Sequence, residues 1–427
     1  MRMMEIARKI NLNKGHHFLL NGVLFMLLGV LFDFTQNFIP VNIPIARYTI
    51  FFISFYFFCK GIIYTSDKRK YKIFLKFIVF TFLIWSIIVI LRGIPKIAEG
   101  YYNYVYLKKL LSGDLVILAF PFLILIKPNL LFYQRLMKIC YLLSFAGCFV
   151  VPFLYILFPN NPGYGVEYLT RLFVAGGAII LLTSYYQPRR KIIIVLLSFS
   201  VSLLFLLSLA RRNMIVYFVA VLFISLVINL YNRNISREYR KYAIIAMILV
   251  SLFIGSSFYI FKDNLALVIE RFNTGFDSRN DIIDEFTIDF NSHPSDWIFG
   301  RGLYGEFQTK TLALNLENGT RDGIENGYLN HILIGGWLYL GLLIVISAYA
   351  IFLGLFRSNN ILSKAFAAVV LIYLIDMVGF GLPDATIKYL IIWISISGCY
   401  SNSLRKISDK KLKSILNIEY KFHTRIL

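Results

Sequence analysis

Apolar runs of about 20 residues recur along almost the whole chain, and they limit what it can fold into. A helix that crosses a bilayer needs about 20 mostly apolar residues, because its backbone must satisfy itself where no water is present. Such runs occupy 18–38, 45–64, 73–91, 113–126, 139–158, 168–186, 192–210, 213–231, 242–261, 330–356, 365–382 and 386–400. The runs at 113–126 and 386–400 are short, and Leu107 to Leu111 can lengthen the first of them. Composition agrees: 58% of the 427 residues are hydrophobic, 16% are charged, and the mean hydropathy is +0.68. A soluble domain is nearer about 45–50% apolar and about 25% charged. The predicted fold is therefore an all-α polytopic integral membrane protein with about twelve spans. A soluble enzyme, a disordered chain, a disulfide scaffold and a conventional nucleic-acid binder are excluded. The first run lacks a small-residue cleavage site and is followed by further spans, so it reads as a membrane helix and not as a signal peptide. Cys59, Cys140, Cys148 and Cys399 all fall within apolar runs, which fits inert buried thiols and neither a disulfide framework nor a zinc site.

The net charge of +21 suggests an anionic partner until the charges are placed on this topology. With the N-terminus cytoplasmic, the inside segments hold 27 of the 44 Lys and Arg residues, 7 of them in 401–427. That asymmetry is the positive-inside rule, and it puts both termini in the cytoplasm. The chain divides into nine spans over 1–261, a large extracytoplasmic loop at 262–327, three spans over 328–400, and a basic cytoplasmic tail at 401–427. The loop contains 12 of the 23 carboxylates. Long loops of this kind are usually functional, so chemistry is expected there. Ile282, Ile283, Phe286 and Phe290 recur at helical spacing among its acids, which predicts an amphipathic helix. Gly300-Arg301-Gly302 and Gly305 follow, where the backbone needs freedom. The two halves show no internal repeat of the sort from which many transporters are built.

Charges near membrane depth are costly and call for an explanation. Arg171 sits near the outer end of its run, and Arg211 and Arg212 occupy a very short outer turn, against the positive-inside bias. Guanidinium groups so placed suit a fork-shaped clamp on phosphate or carboxylate, whereas their bland role is snorkelling toward lipid headgroups. Asp376 reads as a structural residue, and Asp33 fits either a core hydrogen bond or an arginine partner. Glu325 and Asn326 immediately precede a long apolar helix, Tyr328 to Phe356. Polar residues there can simply cap the helix, or Glu325 can serve as a general base at the bilayer surface. His331, in the same helix, is an alternative base, while His293 beside Pro294 reads as a surface residue. There is no phosphate-binding loop, no histidine pair at metal spacing and no nucleophile elbow. No Asp-x-Asp pair in the loop points to a metal-bound sugar nucleotide. Chemistry without nucleotide, metal or other cofactor is expected.

At these residues the chain resembles the O-antigen ligase and Wzy-type polysaccharide polymerase superfamily. Glu325-Asn326, nine further residues ending at Gly335, and then Gly336, Trp337, Leu338 and Tyr339 resemble its late motif, with Glu where the family carries His. Ser208 to Arg212 is similar to its Ser-Arg stretch at the start of a span. Ser278-Arg279 with Ile282 and Phe286, followed by Pro294, Trp297 and Gly300-Arg301-Gly302, resembles its loop pattern. The topology matches over nearly the whole chain and the motifs over about 168–341. The resemblance implies transfer of a glycan from undecaprenyl diphosphate to an acceptor sugar hydroxyl at the outer face of a bacterial plasma membrane. Glu325 would be the base and Asn326 would orient it; Arg171, Arg211, Arg212 and Arg279 would hold the diphosphate, with Arg301 and His331 as further candidates. The implied partners are the lipid-linked glycan, the bilayer and a chain-length regulator, with no nucleic acid. The Glu at the family's His position favours polymerase over ligase chemistry. A lipid-linked oligosaccharide flippase is the chief alternative from another class, and a sensor or scaffold with a partner-binding loop is a third.

Overall fold

The computed structural model describes residues 2–36, 44–66, 73–98, 103–127, 129–157, 162–209, 212–231, 278–310, 319–379 and 383–416. The first half comprises α1 (Arg2–Gln36), α2 (Pro44–Thr65), α3 (Ile73–Ala98), α4 (Asn103–Lys109), α5 (Leu115–Ala119), α6 (Leu130–Leu157), α7 (Pro162–Leu169), α8 (Ala178–Leu182), α9 (Arg189–Ser208) and α10 (Arg212–Tyr231). The loop supplies α11 (Ser278–Ser292), α12 (Pro294–Phe299) and a short hairpin, β1 (Phe307–Gln308) and β2 (Thr320–Arg321). The chain closes with α13 (Gly327–Phe356), α14 (Ile361–Gly379), α15 (Ile387–Tyr400), α16 (Asn402–Arg405) and α17 (Asp409–Leu416).

Among the described residues, seven stretches are long and apolar enough to cross a membrane: Leu12–Phe34, Pro44–Thr65, Leu75–Pro95, Leu130–Phe153, Arg189–Ser208, Gly327–Phe356 and Ile361–Gly379. Met214–Asn229 and Ile387–Tyr400 are shorter apolar helices. The protein is thus a multi-pass helical membrane protein. The run expected at 242–261 lies outside the described residues.

Two of the expected spans are not continuous helices. The run at 113–126 opens with a π-helical turn, Leu110–Asp114, kinked at Gly113 (φ 130°), and after α5 ends as a 3-10 helix, Phe120–Leu125. The run at 168–186 passes from α7 into a π turn, Thr170–Val174, and a 3-10 turn, Ala175–Gly177, before α8. Irregular backbone at membrane depth is tolerated where protein surrounds it. Leu172 to Leu182 is buried throughout, and neighbours take up the released carbonyls. The Tyr217 hydroxyl donates to the Ala175 carbonyl at 3.1 Å, and Ser225 to that of Leu181 at 2.8 Å.

The helix expected from Tyr328 to Phe356 is also broken, at Gly336 (φ 71°, ψ −176°). Gly327 packs on Met377, 16 residues beyond the start of α14, or about 24 Å along that helix at about 1.5 Å per residue. A straight α13 would extend about 44 Å. The break resolves the difference: Trp337–Phe356 runs alongside α14, while Gly327–Gly335 turns across the bundle end.

Helix ends alternate between two faces, as the topology requires. At one face Lys127 N donates to the Thr65 carbonyl, Tyr186 meets Asp409, and Asn360 Nδ2 donates to the Leu404 and Ile407 carbonyls. The loop unit docks at the other.

Candidate functional site

The loop folds as a small unit of its own. The predicted amphipathic helix is α11, whose Ile282, Phe286 and Phe290 are buried against Trp297 and Phe307. Several acids of the loop are spent on this architecture. Glu285 accepts from the Thr309 hydroxyl and Lys310 N, Asp289 from Arg301 and Gln308 N, and Glu306 from Tyr106 and Thr320. Arg301 was a candidate for binding substrate. Instead its guanidinium is held by Asp289, by Asp296 at 2.6 Å and by the Glu306 carbonyl at 2.6 Å, and it lies 4.6 Å over the Phe290 ring. It ties the loop together.

The unit is fixed to the bundle through backbone. Where Gly336 ends the first segment of α13, the last carbonyls of that segment lose their helical partners. Arg301 N donates to the Leu333 carbonyl at 2.7 Å, Gly302 N to that of Ile334 at 2.8 Å, and Trp85 Nε1 to that of Gly335 at 2.9 Å. Leu303 N donates to the Val89 carbonyl at 3.0 Å. Arg92 of α3 grips the Phe299 and Gly300 carbonyls at 2.6 and 2.7 Å. Only glycine serves at two of these points: a Cβ at Gly300 (φ 65°) would lie 2.5 Å from Gly335 N, and one at Gly302 (φ 84°) 2.9 Å from the Arg92 side chain.

Asn326 caps α13: its Oδ1 accepts from Tyr328 N at 3.0 Å and Leu329 N at 3.2 Å, while Nδ2 donates to the Val378 carbonyl at 3.3 Å. Glu325 is half-exposed at the same end, 4.0 Å from the Arg321 guanidinium. His331 is buried, bonded through Nδ1 to the Gly327 carbonyl at 2.7 Å and stacked on Tyr339. It is a packing residue rather than an accessible base. His293 is exposed, as expected.

Of the four arginines assigned to the diphosphate, only the Arg171 side chain is among those described. Arg212 and Arg279 stand in the first turns of α10 and α11, their side chains outside the described residues, and Arg211 lies outside altogether. Arg171, in the π turn after α7, pairs with Glu167 and faces Asp384. Burial pushes the Asp384 carboxyl above the usual carboxylate range, against the opposing pull of Arg171, of the hydrogen bond donated by the Thr386 hydroxyl, and then of Lys388. The two intramembrane acids also have partners: Asp33 pairs with Arg47, and Asp376 accepts from Lys388 Nζ at 2.7 Å.

Sequence reasoning missed Lys388 and Asp384. Lys388 packs 4.5 Å over the Tyr217 ring and borders a small cavity with Tyr373, Ala175 and Ile391. A signal was present in a lysine at the head of an apolar run, twelve residues after a carboxylate near the end of the preceding one. Asn326 to Val378, Gly327 to Met377, and Asp376 to Lys388 then form one chain of contacts from Glu325 into the charged cluster. No protein-family model, curated protein or solved structure matches the chain.

Proposed function

We propose that this protein polymerises undecaprenyl-diphosphate-linked oligosaccharide repeat units by glycosyl transfer at the outer face of a bacterial plasma membrane. In this reading it belongs to the polymerase branch of the O-antigen ligase and Wzy-type superfamily, spans the membrane about twelve times with both termini cytoplasmic, and works alongside a chain-length regulator. The observation that carries the reading is the docking of Gly300-Arg301-Gly302 onto the helix break at Gly335-Gly336. Two of the three stretches on which the family resemblance rests, the loop pattern and the late motif, are built as one unit.

The acceptor hydroxyl attacks the anomeric carbon of the donor repeat; a new C–O bond forms, and the bond to the diphosphate breaks with its electron pair. Glu325 takes the hydroxyl proton. A diphosphate leaves readily once its charge is met, and one fixed donor in a shielded site contributes about 3–4 kcal/mol. Arg211, Arg212 and Arg279 supply that charge. Arg171, already flanked by Glu167 and Asp384, supports the site from the bundle. Asn326 positions Glu325 by holding the start of α13.

A flippase is the second reading, favoured by the charged cluster among the helices, since intramembrane ionisable groups mark transport paths. Purified protein reconstituted with the lipid-diphosphate repeat, and nothing else, separates the two. A ladder of repeat multiples supports polymerisation; substrate moved to the other leaflet with no longer product overturns it.

A further inference from the structure

Among the described residues, the loop unit exposes large apolar side chains at Ile288 of α11, at 70%, and in a pair at the end of α12. Ile298 is 52% exposed and Phe299 46%, at the end of α12, beside Trp337 at 54%. Ile282, Phe286, Phe290 and Phe307 form the buried core of the unit, so this patch is not unfilled core. It lies where α12 meets the bundle: Phe299 contacts Trp85, and Trp297 stacks on Trp337.

Helix lengths place the patch in depth. Trp337–Phe356, the part of α13 below the break, spans about 28 Å at 1.5 Å per residue, close to the roughly 30 Å hydrocarbon thickness of a bilayer. Its outward face carries Trp337, Leu338, Ile344, Val345, Phe352 and Phe356. On α3, Phe77, Ile84, Ile87, Leu91 and Ile94 form a second outward stripe along the apolar segment Leu75–Pro95. Both stripes rise to the level of α12 and end there. Trp337 then sits at one boundary of the hydrocarbon, where Trp and Arg concentrate, and exposed Arg92 holds the Phe299 and Gly300 carbonyls at the end of α12. Phe299 on Trp85 of α3 and Ile298 beside Gly336 of α13 set the patch next to both stripes.

We propose that α12 is an interfacial anchor that inserts Ile298 and Phe299 into the acyl–headgroup boundary of the leaflet, so that the loop unit is seated in the bilayer. An exposed apolar patch of this sort marks an interaction site, and its continuity with the two lipid-facing stripes selects lipid over a protein partner. The backbone bonds to Leu333 and Ile334 fix the height of the anchor, because they hold α12 at the break.

Site-directed spin labels in proteoliposomes test this. Ile298→Cys, Leu91→Cys and Asp284→Cys, in a background whose four cysteines are changed to alanine, are labelled and read by collision with oxygen and with a water-soluble nickel chelate. The label at 298 is expected to favour oxygen as the lipid-facing label at 91 does, with several-fold lower nickel collision than at exposed position 284. Nickel collision at 298 equal to that at 284 overturns the proposal. Shielding from both reagents also overturns it, in favour of a protein occupant. If the cysteine-free background does not fold, the same labels are placed in the native background and the signal of labelled wild-type protein is subtracted.

Discussion

A Cβ at Gly336 would lie 2.1 Å from the carbonyl oxygen of Ile298. This contact joins the loop unit to α13 more closely than any other residue type would allow. The backbone there is also left-handed (φ 71°), so a side chain is strained whatever the space.

Gly336→Ala is therefore expected to destabilise the protein by at least the roughly 1–3 kcal/mol that such backbone strain costs, with further loss from the overlap. Gly341, in the same helix, has nothing within 4 Å of its Cβ position. Gly341→Ala should be neutral or stabilising by up to about 1 kcal/mol. Thermal unfolding of both variants in detergent checks the contrast, and equal effects would dismiss the docking as a determinant of stability.

Asp376 and Lys388 form a buried pair, their side chains 3% and 11% exposed. Removing one partner of such a pair costs about 3–5 kcal/mol, while replacing both with apolar groups can be close to neutral. Asp376→Leu and Lys388→Met should each be severely destabilised, and the double variant should recover much of the loss. A double-mutant cycle measures the coupling; additive losses would mean that the pair does not interact.

Asp384, between α14 and α15, gives the stability a pH dependence of definite sign. Its carboxyl is raised in the folded state by burial, above the unfolded value of about 3.9. Its contribution is thus present at low pH and is lost as pH rises through the folded value. Across that window wild type should lose stability relative to Asp384→Asn. Unfolding temperatures of the two proteins from acid to neutral pH test the point, and parallel curves would contradict it.

Asn326 caps α13 with two backbone bonds. Asn326→Ala should cost about 1 kcal/mol, and Asn326→Ser should restore most of it. If Ser restores polymerising activity together with stability, Asn326 positions Glu325 through the cap; if stability returns without activity, positioning through the cap alone is contradicted.

Much of the fold is legible in the sequence because lipid imposes length and hydropathy on spanning helices. The periodicity of Ile282, Phe286 and Phe290 likewise revealed α11. The breaks were not legible. Leu110–Asp114 and Thr170–Val174 keep the apolar character of a continuous span, and hydropathy carries no record of which carbonyl pairs with which amide. Gly335-Gly336 was noticed as a motif, but its purpose, presenting three carbonyls to residues 85, 301 and 302, exists only in the folded chain. Arg301 read as a candidate for the site because Asp289 and Asp296, its partners, become neighbours only when α11 and α12 pack. Lys388 was missed for the same reason, since its partner Asp376 becomes a neighbour only when α14 and α15 pack.

The most direct measurement is the product ladder formed from lipid-diphosphate repeat units by reconstituted wild type and Glu325→Gln. Glu325 is half-exposed, 4.0 Å from Arg321, so the variant should unfold at nearly the wild-type temperature. The expected result is a ladder from wild type and unextended substrate from the variant. A full-length ladder from Glu325→Gln would contradict the assignment of the base, and no ladder from well-folded wild type would contradict polymerisation itself.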